Sequence, residues 1–314
     1  MSIEAKPLLP LAVTGQDAAI SVISPASFAI PERVELGMER LRRLGYAPRL
    51  GANTQTRGPL FFAGSPEQRL ADLHAAFADP ETQLVAAVRG GYGSNYLLDR
   101  IDLALIESYP KPFFAYSDMT GLQLYLLDKL GLPAFHGPMV AADFYLEDGV
   151  HLKSFQSALA GQPYSVGGSE GLRTLKTGTV TGALYGGCLS ILVSLIGTKW
   201  EPATEDKLLF IEDVGAKPYQ VNRMLWQMRQ AGKFRGVRGI IFGEMLECTS
   251  GGAPENLLEA AILSALYELE IPIVIGLRSG HVSRQNVTLI FGVEAELRAG
   301  DEAQLTLLEP AVRP

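Results

Sequence analysis

Two cysteines in 314 residues, Cys188 and Cys248, are too few for a disulfide framework and lie in no paired ligand spacing, which suits a reducing compartment. Histidine is scarce as well. The four present, His74, His136, His151 and His281, form no H-E-x-x-H or other close pair, so neither a metal nor a cofactor is expected. Excess positive charge is missing: a net charge of -7 with 19% charged residues removes any general attraction for nucleic acid. No apolar run approaches the roughly 20 residues that span a bilayer, and the longest lies near residues 189–196, so no membrane association is expected. The first stretch, MSIEAKPLLPLAVTGQDAAI, has one early lysine and a short apolar patch broken by proline, without the charged start and long apolar core of a secretion signal. A cytoplasmic protein is expected. Phosphate-binding fingerprints are also lacking, because R-G-G-Y-G-S at residues 89–94 does not have the G-x-G-x-x-G spacing and no P-loop lysine follows it.

What is present is apolar residue, 47% of the chain, at a length that exceeds what one core usually serves, so two domains are expected. AAISVIS (residues 18–24), QLVAAV (83–88) and KPFFAY (111–116) are short apolar or β-branched runs closed by Pro, Gly or Ser, and read as buried parallel strands. Between them Val34, Met38, Leu41 and Leu44 line one face of a helix that starts at Pro31, and Leu70, Leu73 and Phe77 line another after Pro66. This alternation predicts an α/β doubly wound layer. The polar, glycine-rich GQPYSVGGSEGLRTLKTG (161–178) breaks the rhythm and is the boundary candidate. The division is an N-terminal α/β domain over 1–165, a linker over 166–180 and a C-terminal β/α domain over 181–314. Strands are expected there at LLFIED (208–213), VRGIIFG (237–243), IVIGL (273–277), NVTLIF (286–291) and QLTLL (304–308), with helices around 221–228 and 255–269.

In FFAYSDMT (113–120) an apolar strand stops at Ser117, at the carboxyl edge of the layer where functional groups gather. A sharp strand-to-helix turn would expose the hydroxyl as a nucleophile elbow, although Ala115 and Met119 stand where G-x-S-x-G has glycines. The residues alone also allow Ser117 or Asp118 to be an ordinary helix cap. The glycines of R-G-G-Y-G-S let backbone approach a ligand, with Gly91 and Asp118 as candidate oxyanion donors, or simply make a tight turn. A serine nucleophile needs a base and a group that orients it. His281, in the loop RSGHVSRQN after a strand, suits a base best; His74 lies on a helix, His136 follows Phe135 in FHGP, and His151 follows an acidic loop. The strand LLFIED ends in Glu212 and Asp213, which point to opposite faces, so one of the two is available to a given cleft.

Taken together the segments ISPAS, FAGSPEQR, VRGGYGS, AYSDMT, FHGP, YGGCLSILVSLIGT, LLFIEDVGAKPYQVNRML and SGHVSRQN with NVTLIFG run over nearly the whole chain in one order. This set resembles the LD-carboxypeptidase family, serine peptidases that trim murein peptides and that include the microcin C immunity peptidases. The resemblance implies a flavodoxin-like or amidotransferase-like N-terminal sheet layer carrying the nucleophile Ser117, and a swivelling C-terminal β/α domain carrying Glu212 and His281. It departs from the family at Ala115, where glycine is usual, at Cys188, where asparagine is usual, at Ile290 in place of proline, and at Ala216-Lys217 in place of an acidic residue. No triad member is lost.

The resemblance further implies hydrolysis of the L,D amide that releases terminal D-alanine from murein tetrapeptides, a step in cell-wall recycling. Ser117 would attack, His281 would take its proton, Glu212 would orient the imidazole, and the amides of Gly91 and Asp118 would receive the oxyanion. An end-reading site needs a guanidinium for the substrate carboxylate, for which Arg89, Arg223 and Arg278 are candidates by their place beside motifs. A homodimer is implied by the family only. The alternatives are a microcin-immunity-like peptidase or amidase acting on aminoacyl-nucleotide conjugates, and a non-catalytic binding protein on the same fold.

Overall fold

The computed structural model describes residues 7–252, 254 and 256–314. It divides into two units, the first made of residues 1–163, 284–293 and 309–314, the second of 164–283 and 294–308. Each is built on one sheet.

The first unit carries a six-stranded sheet in the order Leu289–Phe291, Ala134–His136, Phe113–Ala115, Thr82–Ala87, Ala18–Ile23, Tyr46–Leu50. Five strands are parallel, and numbered along the chain they run 5-4-3-1-2, the flavodoxin-like order. Parallel strands are covered on both faces, which is why AISVI and LVAA read as near-continuous apolar runs. Helix Pro31–Arg43 begins with proline at its first turn and buries Val34, Met38 and Leu41. Helix Pro66–Ala78 is started by a capping box in which Ser65 and Gln68 satisfy each other's backbone amides. Its buried face is not wholly apolar, since Arg69 and Asp72 share it with Leu73, Ala76 and Phe77.

The second unit carries an eight-stranded sheet. Gly178–Cys188, Lys207–Glu212, Gly239–Gly243 and Ile273–Leu277 form its parallel centre, linked by helices Leu189–Leu195, Pro218–Gln230 and Leu257–Ala265. Antiparallel strands flank it: Glu294–Ala299, Gln304–Leu307 and Tyr164–Gly167 on one side, Arg173–Lys176 on the other.

Two expectations change. Residues 166–180, read as a linker, hold strand Arg173–Lys176, the end of Tyr164–Gly167 and the start of Gly178–Cys188, all in the second sheet. The strand within NVTLIF belongs to the first sheet, where Leu289–Phe291 lies antiparallel against Ala134–His136. Polar composition signals a break in local rhythm, whereas sheet membership is set by pairing partners far away in sequence. The expected helix over 255–269 is observed as Leu257–Ala265, and Glu255 lies outside the described residues. No helix among the described residues is long and apolar enough to cross a membrane.

Candidate active site

In the first unit the carboxyl edge of the sheet gathers three loops where the strand order reverses, the usual place for ligands in an open α/β sheet. Strand Phe113–Ala115 runs into a turn at Ser117, whose φ of +66° is left-handed, rare for a residue with a side chain. Ser117 is half-exposed between buried neighbours Tyr116 and Asp118. A short 3-10 turn over Ser117–Met119 leads into helix Thr120–Leu130, so the Asp118 amide lies in the first turn, where backbone N–H groups have no intrahelical acceptor. This is the strained elbow the sequence suggests, built without its glycines. The space they would provide comes from the neighbouring strand end: a Cβ on Gly90 would lie 2.6 Å from Ser117 Cβ and 2.8 Å from its Oγ.

The loop after Thr82–Ala87 is held from two sides. The amide of Tyr92 donates to Ser27 Oγ at 3.1 Å, and a side chain on Gly91, whose φ is +101°, would collide with that hydroxyl. The Ser94 amide donates to the Asp118 carboxylate at 2.8 Å, and Ser94 Oγ donates to the Asp118 carbonyl at 2.7 Å. Burial pushes the Asp118 carboxyl above the usual carboxylate range, against the lowering effect of the Ser94 bonds. Arg69, only 1% exposed, donates through Nη1 to the carbonyls of Pro25 and Gly93, both at 2.7 Å, and lies over the Phe62 ring. It ties the loop after the first strand to the loop after the third. Ser27, Ser94 and Arg69 were missed by the sequence reading; the available signal was a charge at position 69, on the same stripe as Leu73 and Phe77.

In the second unit Glu212 closes strand Lys207–Glu212 and is fully buried. Its Oε2 accepts the His281 backbone amide at 3.0 Å and lies 2.7 Å from His281 Nδ1. Gly280, φ +88°, permits that approach, since a Cβ there would sit 2.6 Å from Glu212 Cδ. Asp213 turns the other way and accepts the amides of Ser190 and Val214, both at 2.8 Å. Of the two acids, Glu212 is hydrogen-bonded to a histidine, whereas Asp213 serves backbone amides. The other histidines are occupied elsewhere: His74 Nε2 accepts the Asp102 amide, His151 Nδ1 accepts the Ser154 amide, and His136 is fully buried beside Tyr116 and Phe291.

Cys188 pairs with Glu212 across adjacent parallel strands, and its thiol is pushed well above its ordinary range by burial and by the two neighbouring carboxylates. One ligand atom from each of Cys188, Glu212 and His281 falls within 4.8 Å of the others, a cluster of metal-binding types that linear spacing does not show.

The three arginines differ. Arg89 is exposed beside Gly91 and makes no hydrogen bond or ion pair with another described residue. Arg223 is exposed over the Tyr219 ring at 5.5 Å. Arg278 is engaged, donating from Nη2 to the Ser169 carbonyl at 2.6 Å.

Family models for the LD-carboxypeptidase N-terminal domain and the LD-carboxypeptidase C-terminal domain match residues 20–137 and 181–297. The chain belongs to the LD-carboxypeptidase family. It is 33% identical over 287 residues to a probable murein peptide carboxypeptidase of Bacillus subtilis (strain 168), covering 90% of this chain and 89% of that protein. The crystal structure of muramoyltetrapeptide carboxypeptidase from Oxalobacter formigenes superposes with a TM-score of 0.81 at 28% identity, covering 93% of this chain and 99% of the other. That of an MccF-like protein from Bacillus anthracis str. Ames gives 0.87 at 27%, covering 96% and 99%. As a member of this peptidase family the chain is an enzyme, a carboxypeptidase.

Proposed function

We propose that the protein is a serine LD-carboxypeptidase that releases terminal D-alanine from murein tetrapeptides by cleaving the amide that follows an L centre. The observation that carries the reading is the buried Glu212 carboxylate held 2.7 Å from His281 Nδ1, in a chain whose other unit offers Ser117 at a left-handed turn. A carboxylate at Nδ1 fixes the tautomer that leaves Nε2 as proton acceptor and stabilises the imidazolium once formed. In this mechanism His281 takes the Ser117 proton, Ser117 attacks the carbonyl, and His281 returns the proton to the leaving amine of D-alanine. Water then repeats the sequence on the acyl-enzyme. The amides of Gly91 and Asp118 receive the oxyanion, and loss of one such donor typically raises the barrier by about 2.7 to 4 kcal/mol. Arg89, exposed and uncommitted beside Gly91, is the arginine we assign to the substrate carboxylate. The reading places the enzyme in the cytoplasm as a homodimer, which cell fractionation and sedimentation velocity test.

The deciding experiment incubates the protein with murein tri-, tetra- and pentapeptides and follows products by mass. D-alanine is expected from the tetrapeptide, with the pentapeptide ending in D-alanyl-D-alanine left intact because it extends one residue beyond an end-reading site. Inactivity on the tetrapeptide with cleavage of an aminoacyl-sulfamoyl nucleoside would replace this reading by the amidase one.

A further inference from the structure

We propose that Cys188, Glu212 and His281 form a binding site for one thiophilic divalent cation, zinc foremost, and that its occupation switches the enzyme off. The effect on turnover rests on the functional reading above; the binding does not. All three residues lie in the second unit, on elements of one sheet or the loop that follows it. Strands Gly178–Cys188 and Lys207–Glu212 pair in parallel with Cys188 opposite Glu212, so their side chains leave the same face, and His281 is bound to Glu212 by both its backbone amide and its ring. Thiolate, imidazole and carboxylate are the three donor types of zinc sites, and three protein ligands leave a fourth position open.

Geometry sets what binding must change. The three donor atoms lie within 4.8 Å of one another, whereas a tetrahedral zinc ion holds such donors about 3.3 to 3.6 Å apart. The set must adjust to take an ion: Glu212 Oε2 and His281 Nδ1, 2.7 Å apart, have to separate by about 0.6 Å if both bind it, the thiol proton leaves to solvent, and the Ser190 hydroxyl, 3.3 Å from Sγ, remains to orient the sulfur. Whichever ring nitrogen the ion takes, the imidazole loses a function. At Nδ1 the ion replaces the proton shared with Glu212; at Nε2 it occupies the lone pair that receives the serine proton.

The test adds cobalt(II) to the reduced full-length protein without substrate and records the thiolate-to-cobalt charge-transfer band. One equivalent should saturate it, zinc should abolish it, and Cys188→Asn and Cys188→Ala, checked for folding by circular dichroism, should lack it. In the hydrolysis assay the Cys188→Asn enzyme should match the parent without metal and require at least about tenfold more zinc for inhibition. Absence of the band, or its persistence in both Cys188 variants, overturns the site. A protein that hydrolyses the tetrapeptide but takes up no cobalt keeps the functional reading and loses the metal site; one that binds cobalt through Cys188 but hydrolyses nothing does the reverse.

Discussion

Gly90 and Ser117 lie in the loops just beyond the ends of adjacent parallel strands, so close that a methyl group on Gly90 would lie 2.6 Å from the serine Cβ. The contact is with the root of the side chain and cannot be relieved by rotation. Gly90→Ala should therefore displace the serine while leaving most of the sheet intact. A shift of about 1 Å costs about 100-fold in rate, and steady-state kinetics beside a thermal melt should show kcat falling far more than stability.

Ser117→Ala should abolish turnover and leave folding and substrate binding largely unchanged, since the hydroxyl is half-exposed at the turn and contributes little packing. Activity within about tenfold of the parent, a barrier change of about 1.4 kcal/mol, would remove Ser117 from the mechanism.

The adjacent acids should separate cleanly. Glu212→Gln keeps the shape beside His281 and loses the charge, so kcat should drop by orders of magnitude. Asp213→Asn should leave kcat nearly unchanged, because its carboxylate serves the Ser190 and Val214 amides, and should cost about 1 kcal/mol of stability in urea denaturation. The reverse ranking would make Asp213, on the other face of the strand, the acid on which turnover depends.

Asp118 makes stability depend on pH in a direction its burial dictates. Its folded-state pKa is raised, chiefly by desolvation, so its contribution is fully present below the unfolded value of about 3.9 and is lost as pH rises through the folded value. Asp118→Asn has no such titration. Relative to that variant the parent should lose stability between acid and neutral pH, as paired urea melts at about pH 4 and about pH 7 would show. A constant difference would mean that the Ser94 bonds fully offset burial.

Arg69→Met should destabilise the fold by about 2 to 5 kcal/mol, because the Pro25 and Gly93 carbonyls would lose a buried charged donor. Chemical denaturation measures the loss. Activity in the folded fraction should also fall, since the same side chain fixes the loop that carries Gly91.

Much of this was readable in the sequence because local rules agreed with the fold. The helix starts at Pro31 and Pro66, the buried runs ending at Ile23 and Ala87, and the order of motifs around Ser117, Glu212 and His281 are properties of contiguous segments. What escaped depended on distance. Nothing near Leu289 announces that it pairs with His136, nothing near Arg69 names Pro25 and Gly93 as its acceptors, and the approach of Cys188 to His281 exists only once the strands align. The short strands at Ala134–His136 and Arg173–Lys176 were likewise hidden, being too brief for periodicity to register.

The unit that carries Ser117 is finished by residues that come late. Its sixth strand, Leu289–Phe291, and the bridge between Leu11 and Arg313 use chain that follows the greater part of the second unit. During synthesis, residues 7–163 therefore emerge with five strands but with the outer edge of Ala134–His136 bare, a row of unpaired amides and carbonyls on a strand buried in the finished fold. Until residues 164–283 have been made and the chain returns, that edge is open to strands of neighbouring nascent chains. A fragment that ends before residue 289 is therefore expected to self-associate through that edge, which sedimentation of the fragment beside the whole chain would show.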